Sequence, residues 1–232
     1  MLRVGVAIPA HNVLRLIERC LTSLRAQTYP VDIYVVDDGS DDGTPEFLVD
    51  RPNWYTQLKL LPQRRGWPST LNRAAEMAFR DHCDAVFLMN ADDFLRLDCI
   101  ERCVQAIDGH DWTVVYGQQI GEENVVQIPL RELPLRREDF YGWHCPLPNE
   151  GLIRREVWEA VGGYSTDVTM PNSFGFKEDW DFWLKVWEAG FTNGNVVREP
   201  VYYYVMHEGQ LHREGLPRHA EARKLILDKH RV

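Results

Sequence analysis

The sequence predicts an α/β fold, a mostly parallel sheet flanked by helices, with a small antiparallel hairpin region in the second half. Short β-branched runs alternate with segments of helical periodicity through residues 1–110, which is the pattern of βαβ units. After them, "WTVVYGQQI" and "NVVQIP" are separated only by "GEE", the spacing of a hairpin.

Leu2 to Ile8 forms the first strand, ended by Pro9. Val13, Leu16, Ile17, Cys20, Leu21 and Leu24 recur at helical spacing and make an amphipathic helix. Val31 to Val36 is a second strand, followed by the acidic turn "DDGSDD" and a short helix after Thr44. "QLKLL" is a third strand, and Ser69 to Arg80 a helix that Pro68 introduces. "DAVFLMN" is a fourth, wholly apolar strand, and Leu97 to Ile107 a further helix. Beyond the hairpin, "REVWEAVGGY" is a helix closed by glycines and "EDWDFWLKVWEAG" a helix ending at Gly190. "NVVREPVYYYV" is one more strand, with Pro200 at an edge or a bulge, and a charged amphipathic segment follows. With no repeat and no linker, residues 1–232 read as a single domain.

A net charge of −9 weighs against nucleic acid as the main partner, because phosphate binding needs a basic surface. Five cysteines at 20, 83, 99, 103 and 145 form no CxxC pair, which suits reduced thiols in a cytoplasmic protein. No signal peptide and no apolar run of about 20 residues is present, so no transmembrane segment is expected.

Three polar clusters fall at the carboxyl ends of predicted strands, where open parallel sheets bind ligands: "PAHN" (9–12), "DDGS" (37–40) and "NADD" (90–93). If these strands are neighbours, Asp37, Asp38, Asp92 and Asp93 converge on one rim. Carboxylates so close repel one another unless a cation or hydrogen-bond donors sit between them, and a hard divalent ion suits oxygen ligands. Each pair taken alone is equally explained as turn formers or helix caps. Glu178 and Asp179 open a helix whose face Trp180, Trp183, Leu184 and Trp187 is expected to be buried. Before it, "STDVTMPNSFGF" has the composition of a mobile lid.

Taken in order, these motifs resemble the family 2 glycosyltransferases of the GT-A fold, nucleotide-diphospho-sugar transferases with a Rossmann-like sheet. "VGVAIPAHN", "IYVVDDGSDDGT", "MNADDF", "VGGY", "EDWDFWLKVWEAG" and "YYYVMHEGQLHR" carry the likeness over nearly the whole chain. The resemblance implies a nucleotide-binding half, 1–110, and an acceptor and catalytic half, 111–232. It implies an inverting, metal-dependent transfer from a nucleotide-sugar, with UDP favoured, to an acceptor hydroxyl. Pro9, Ala10, His11, Asn12, Asp38, Arg65, Asn72 and Asp92 would address the nucleotide-sugar. Asp92, Asp93 and His207 would hold Mn²⁺ or Mg²⁺, with the choice between the two aspartates open and His212 a substitute for His207. Asp179 would be the general base, and Glu178 would position donor or acceptor. Trp143, His144, Glu150 and Trp180 are expected on the acceptor side, where protein, lipid-linked sugar, glycan and nucleic acid all stay open.

The chain departs from the family pattern at Asn90, which stands at the first acidic position of the DxD region, and at His11, which stands where a Tyr is usual. Asn90 keeps alive a catalytically inactive nucleotide-sugar binder as the alternative. A nucleotidyltransferase shares the sheet and metal logic. A receiver-type signalling domain fits less well, because a full strand and helix precede "VVDDG".

Overall fold

The computed structural model describes residues 1–120, 125–127, 133–142, 145–166, 178–207 and 219–230. Among the described residues nine strands form one sheet: β1 (Val4–Ala10), β2 (Val31–Asp37), β3 (Gln57–Leu60), β4 (Ala85–Leu88), β5 (Phe94–Leu95), β6 (Trp112–Ile120), β7 (Val125–Gln127), β8 (Gly151–Arg154) and β9 (Gly194–Val205). Their order is β3-β2-β1-β4-β8-β6-β9-β5, with β7 paired to β6. The α-helices are α1 (Ile17–Arg25), α2 (Thr44–Val49), α3 (Trp67–Arg80), α4 (Cys99–Ala106), α5 (Arg155–Val161), α6 (Glu178–Glu188) and α7 (His219–Lys229).

The first four strands pair in parallel, as βαβ connections require. β1 runs on through Pro9 to Ala10 instead of stopping at Ile8. Ala7 accepts from Met89 N–H on the β4 side, and Ala10 accepts from Asp38 N–H on the β2 side. Strand alternation therefore turns Pro9 toward β4, past the last β1–β4 pair at Ala7 and Leu88, where its missing N–H costs no ladder bond.

β8 enters the sheet antiparallel to both β4 and β6. A Cβ on Gly151 would stand 2.1 Å from the carbonyl oxygen of Thr113, so the strand closes on β6 only because residue 151 has no side chain. β6 and β9 are parallel, with register shifts between Val115 and Tyr116 and between Tyr116 and Gly117, so Pro200 lies at a bulge. β9 is no edge, since β5 pairs with its other side.

Period-two alternation divides the core between the two faces of the sheet. Val6, Ile8, Phe87 and Val115 pack with α1, α2 and α4, whereas Ala7, Val86, Leu88 and Val114 pack with α3, α5, α6 and α7. α6 is buried on more than the expected face: Phe182, Asp181 and Val186 are enclosed with Trp180, Trp183 and Leu184. Each buried tryptophan withdraws about 200 Å² from water, worth about 5 kcal/mol before ordering costs. No helix among the described residues is long and apolar enough to cross a membrane.

Candidate active site

The loops after β1 and β2 are stitched into one rim. Asn12 donates to Asp41 Oδ1 and accepts from Asp41 N–H, both at 2.9 Å, while its own N–H bonds Ser40 Oγ. Its φ of 52° lies in the left-handed region that Asn enters more readily than bulkier residues, and the bonds to Asp41 hold it there. Asp42 accepts from Leu14 N–H and from the N–H and hydroxyl of Thr44, at the start of α2. Asp37, 1 % exposed, folds back on Ser40.

Asp38, 3 % exposed, takes Arg65 N–H on one oxygen (2.6 Å) and Gly66 N–H on the other (2.8 Å). This bond pair holds the loop carrying the exposed Arg64 and Arg65 against the acidic turn. Gly39, at φ +69°, allows the close approach: a Cβ there would meet the backbone of Gln63 and Arg64 at 2.8 Å. His11 is half-buried, and its Nδ1 is sealed from solvent with no hydrogen-bond partner among the described residues.

The turn between β4 and β5 separates its two aspartates. Asp93 is 0 % exposed and accepts from Tyr202 Oη (2.6 Å) and Val205 N–H (2.8 Å), which braces the turn to β9. Burial, and then the charge of Asp92, push its carboxyl well above the usual range despite those bonds. Asp92 is partly exposed and its Oδ2 lies 3.0 Å from His207 Nε2. Among the described residues no group of three or more His, Cys, Asp or Glu side chains is placed to hold a metal. An aspartate and a histidine side by side still fit a hard divalent ion that draws its other ligands from phosphate and water.

Asn90 joins this turn to the opposite wall. Its Oδ1 accepts from Trp67 Nε1 (3.0 Å), and its Nδ2 donates to Glu150 Oε1 (3.1 Å), with Asp93 Oδ2 at 3.4 Å. Glu150 is pushed up to about 7, chiefly by burial, with its own N–H opposing and the charges of Asp179 and Asp92 adding to the rise. Tyr164, 2 % exposed, is raised well above its usual value by burial and then by Asp179 and Glu150. Asp179, Glu150 and Asp92 therefore share one electrostatic environment, which favours a cation or hydrogen-bond donors between them.

Several residues read as ligand contacts serve the fold. The Asn72 amide is engaged at both ends by the backbone of Tyr164, through 2.8 and 2.9 Å bonds. Trp180, expected both on the buried face of α6 and on the acceptor side, is 0 % exposed inside the core. Asn12 and Asp93 are likewise occupied as described, and Pro9 and Ala10 are buried strand residues that leave only backbone for a ligand. Glu178 is 3 % exposed, while Asp179 keeps some access to solvent. Trp143, His144 and His212 lie outside the described residues, as does most of the "STDVTMPNSFGF" stretch. Sequence reasoning missed Trp67, Tyr164 and Tyr202. Period-two alternation could not have found Tyr202, because β9 buries the adjacent Val201 and Tyr202 together.

Residues 5–162 match the family model described as glycosyl transferase family 2. The chain belongs to that family. This family 2 glycosyltransferase is 29 % identical over 228 residues to an uncharacterized glycosyltransferase of Haemophilus influenzae, covering 93 % of this chain and 80 % of the relative. It is 30 % identical over 105 residues to the chondroitin synthase of Escherichia coli, covering 44 % of this chain and 15 % of the synthase. Among solved structures, S. aureus TarS 1–349 in complex with UDP-GlcNAc superposes with a TM-score of 0.75 at 20 % identity, over 97 % of this chain. The chain spans 65 % of the length of that TarS chain. A Pyrobaculum calidifontis mannosyltransferase in complex with GDP-Man and Mn²⁺ gives 0.68 at 22 % identity, over 98 % of this chain and 64 % of that one. The fold of this glycosyltransferase is thus the GT-A type.

Proposed function

We propose that this glycosyltransferase moves a sugar from a nucleoside diphosphate to an acceptor hydroxyl by direct displacement with inversion, with the help of Mg²⁺ or Mn²⁺. The observation that carries the reading is the Asp92–His207 pair at 3.0 Å, beside Glu150, whose carboxyl feels the charges of both Asp92 and Asp179. Of the two aspartates, Asp92 is the metal ligand, because Asp93 spends its oxygens on β9. A divalent ion held by Asp92 and His207 would stabilise the leaving diphosphate as a Lewis acid. UDP is the nucleotide favoured by the family resemblance; TarS structures carry UDP-GlcNAc or UDP, and the mannosyltransferase carries GDP-Man.

Asp179 takes the proton of the acceptor hydroxyl as that oxygen attacks the anomeric carbon, and the bond to the diphosphate breaks on the opposite face. No enzyme nucleophile is required. Glu178, buried beside the base, shapes its surroundings. His11, with its unpartnered buried nitrogen, and the backbone of Pro9 and Ala10 form the nucleobase side. Asp38 acts by presenting the loop of Arg65, whose guanidinium pairs with the diphosphate. Asn72 stays outside the ligand set because its amide is already satisfied by Tyr164.

The test is a thermal-shift screen of UDP- and GDP-sugars with and without Mn²⁺, followed by detection of released nucleoside diphosphate. A metal-dependent rise in melting temperature for at least one donor supports the reading. Flat curves for every donor sink it.

A further inference from the structure

Glu150 is held between the turn that carries Asp92 and the helix that carries Asp179. Its carbonyl accepts from Val115 N–H (3.1 Å), which fixes its backbone just before β8. Two residues earlier, Pro148 accepts from Trp183 Nε1 (2.9 Å), so this segment is pinned to α6 one helical turn after Asp179. From the other side Asn90 donates to Glu150 Oε1 at 3.1 Å. Asn90 has one permitted orientation, because exchanging its oxygen and nitrogen would set two donors face to face at Trp67 Nε1. An aspartate at position 90 would lose both donated bonds and add a third charge to Glu150 and Asp93. The departure from the family pattern at Asn90 thus makes a nearby acid tolerable.

In a direct displacement the transferred sugar lies between the diphosphate and the base. Glu150 is bonded to Asn90, two residues before Asp92, and its segment is pinned to α6 one turn after Asp179, which sets it beside a sugar held between those two groups. A carboxyl in that place needs a hydrogen-bonding partner, and the sugar presents hydroxyls. We propose that Glu150, oriented by Asn90, determines donor specificity by hydrogen bonding a ring hydroxyl of the transferred sugar. The inference rests on the assignment of Asp92 to the diphosphate and Asp179 to the base.

Isothermal titration in Mn²⁺ tests this with UDP, GDP, UDP-glucose, UDP-galactose, UDP-GlcNAc, GDP-mannose and the monodeoxy analogues of whichever donor binds best. Glu150→Gln, which keeps an oxygen for Asn90, and Glu150→Ala are compared with the wild type after circular dichroism verifies folding. The free nucleoside diphosphate should bind all three within about twofold, while Glu150→Ala weakens the best donor about tenfold or more. One deoxy analogue should bind the wild type about tenfold worse than its parent, yet bind Glu150→Ala as well as the parent does. Equal weakening of diphosphate and nucleotide-sugar, or a deoxy penalty that persists in Glu150→Ala, overturns the role of Glu150 alone. If the wild type binds no nucleotide-sugar, the donor reading itself falls, and this inference with it.

Discussion

Asp181, two residues beyond the proposed base and 0 % exposed, is gripped by His230 (3.0 Å) and Lys229 (2.9 Å) of the α7 region. Lys185 stands 4.0 Å away on α6 itself, and His230 also bonds Glu188 at 2.8 Å. Burial alone would raise Asp181, but hydrogen bonds from His230, Ser165 and Lys229 outweigh it and hold the carboxyl at about 2. Measured from 3.8, that depression corresponds to about 2.5 kcal/mol of stability at about 1.4 kcal/mol per unit. A depressed carboxylate contributes above its unfolded value and loses the contribution as pH falls through the folded one, so this part fades between about pH 4 and 2. His230 moves the other way: burial lowers it, the bonds to Asp181 and Glu188 raise it more, and its net value is raised from 6.5. Its contribution is complete below that value and is lost as pH rises through the raised one. The latch between α6 and α7 is therefore strongest from about pH 4 to 6.5. Asp181→Asn should cost about 2–4 kcal/mol, a fall in Tm of about 5–15 °C by calorimetry at pH 5.5. His230→Gln should cost more at pH 5.5 than at pH 9. A Tm within about 1 °C of wild type for Asp181→Asn at pH 5.5, or equal penalties for His230→Gln at both pH values, would refute the latch.

Asp179→Asn should lower kcat about a thousandfold while nucleotide binding by calorimetry changes less than about twofold; undiminished turnover would remove Asp179 as the base. His207→Ala should raise the Mn²⁺ concentration for half-maximal donor binding about tenfold, read as the metal dependence of the donor-induced thermal shift. Tyr202→Phe removes the hydroxyl that serves the buried Asp93 and should cost about 1.5–3 kcal/mol in urea unfolding. Gly151→Ala forces a methyl group onto Thr113 and should destabilise by about 3 kcal/mol or prevent folding, seen as loss of the wild-type peak on gel filtration.

The apolar runs of β1, β2 and β4 and the periodicity of α1 and α3 were legible because burial there follows local pattern. β5 and β8, of two and four residues, carry too little pattern to read. The partners of the polar residues were also hidden. Asn12 pairs across 29 residues, Asn72 across 92 and Asp93 across 109, and the same side chains that bind nucleotides also stitch loops. Local sequence shows that such a group needs a partner, and only the assembled sheet shows whether a protein atom takes that place. Trp180 was read both as part of the buried face of this helix and as an acceptor-side residue, and the structure encloses it with Trp183 and Leu184.

The antiparallel entry of β8 between β4 and β6 makes the two halves of the chain inseparable. A fragment ending near residue 110 would leave "AVFL", buried throughout in the intact sheet, as an open edge with unpaired N–H and C=O groups. Such an edge is a template for intermolecular pairing, so residues 1–110 expressed alone should aggregate. Evolution and engineering alike must then exchange donor and acceptor specificity by changing loops within one sheet, because no cut between modules leaves both sides closed.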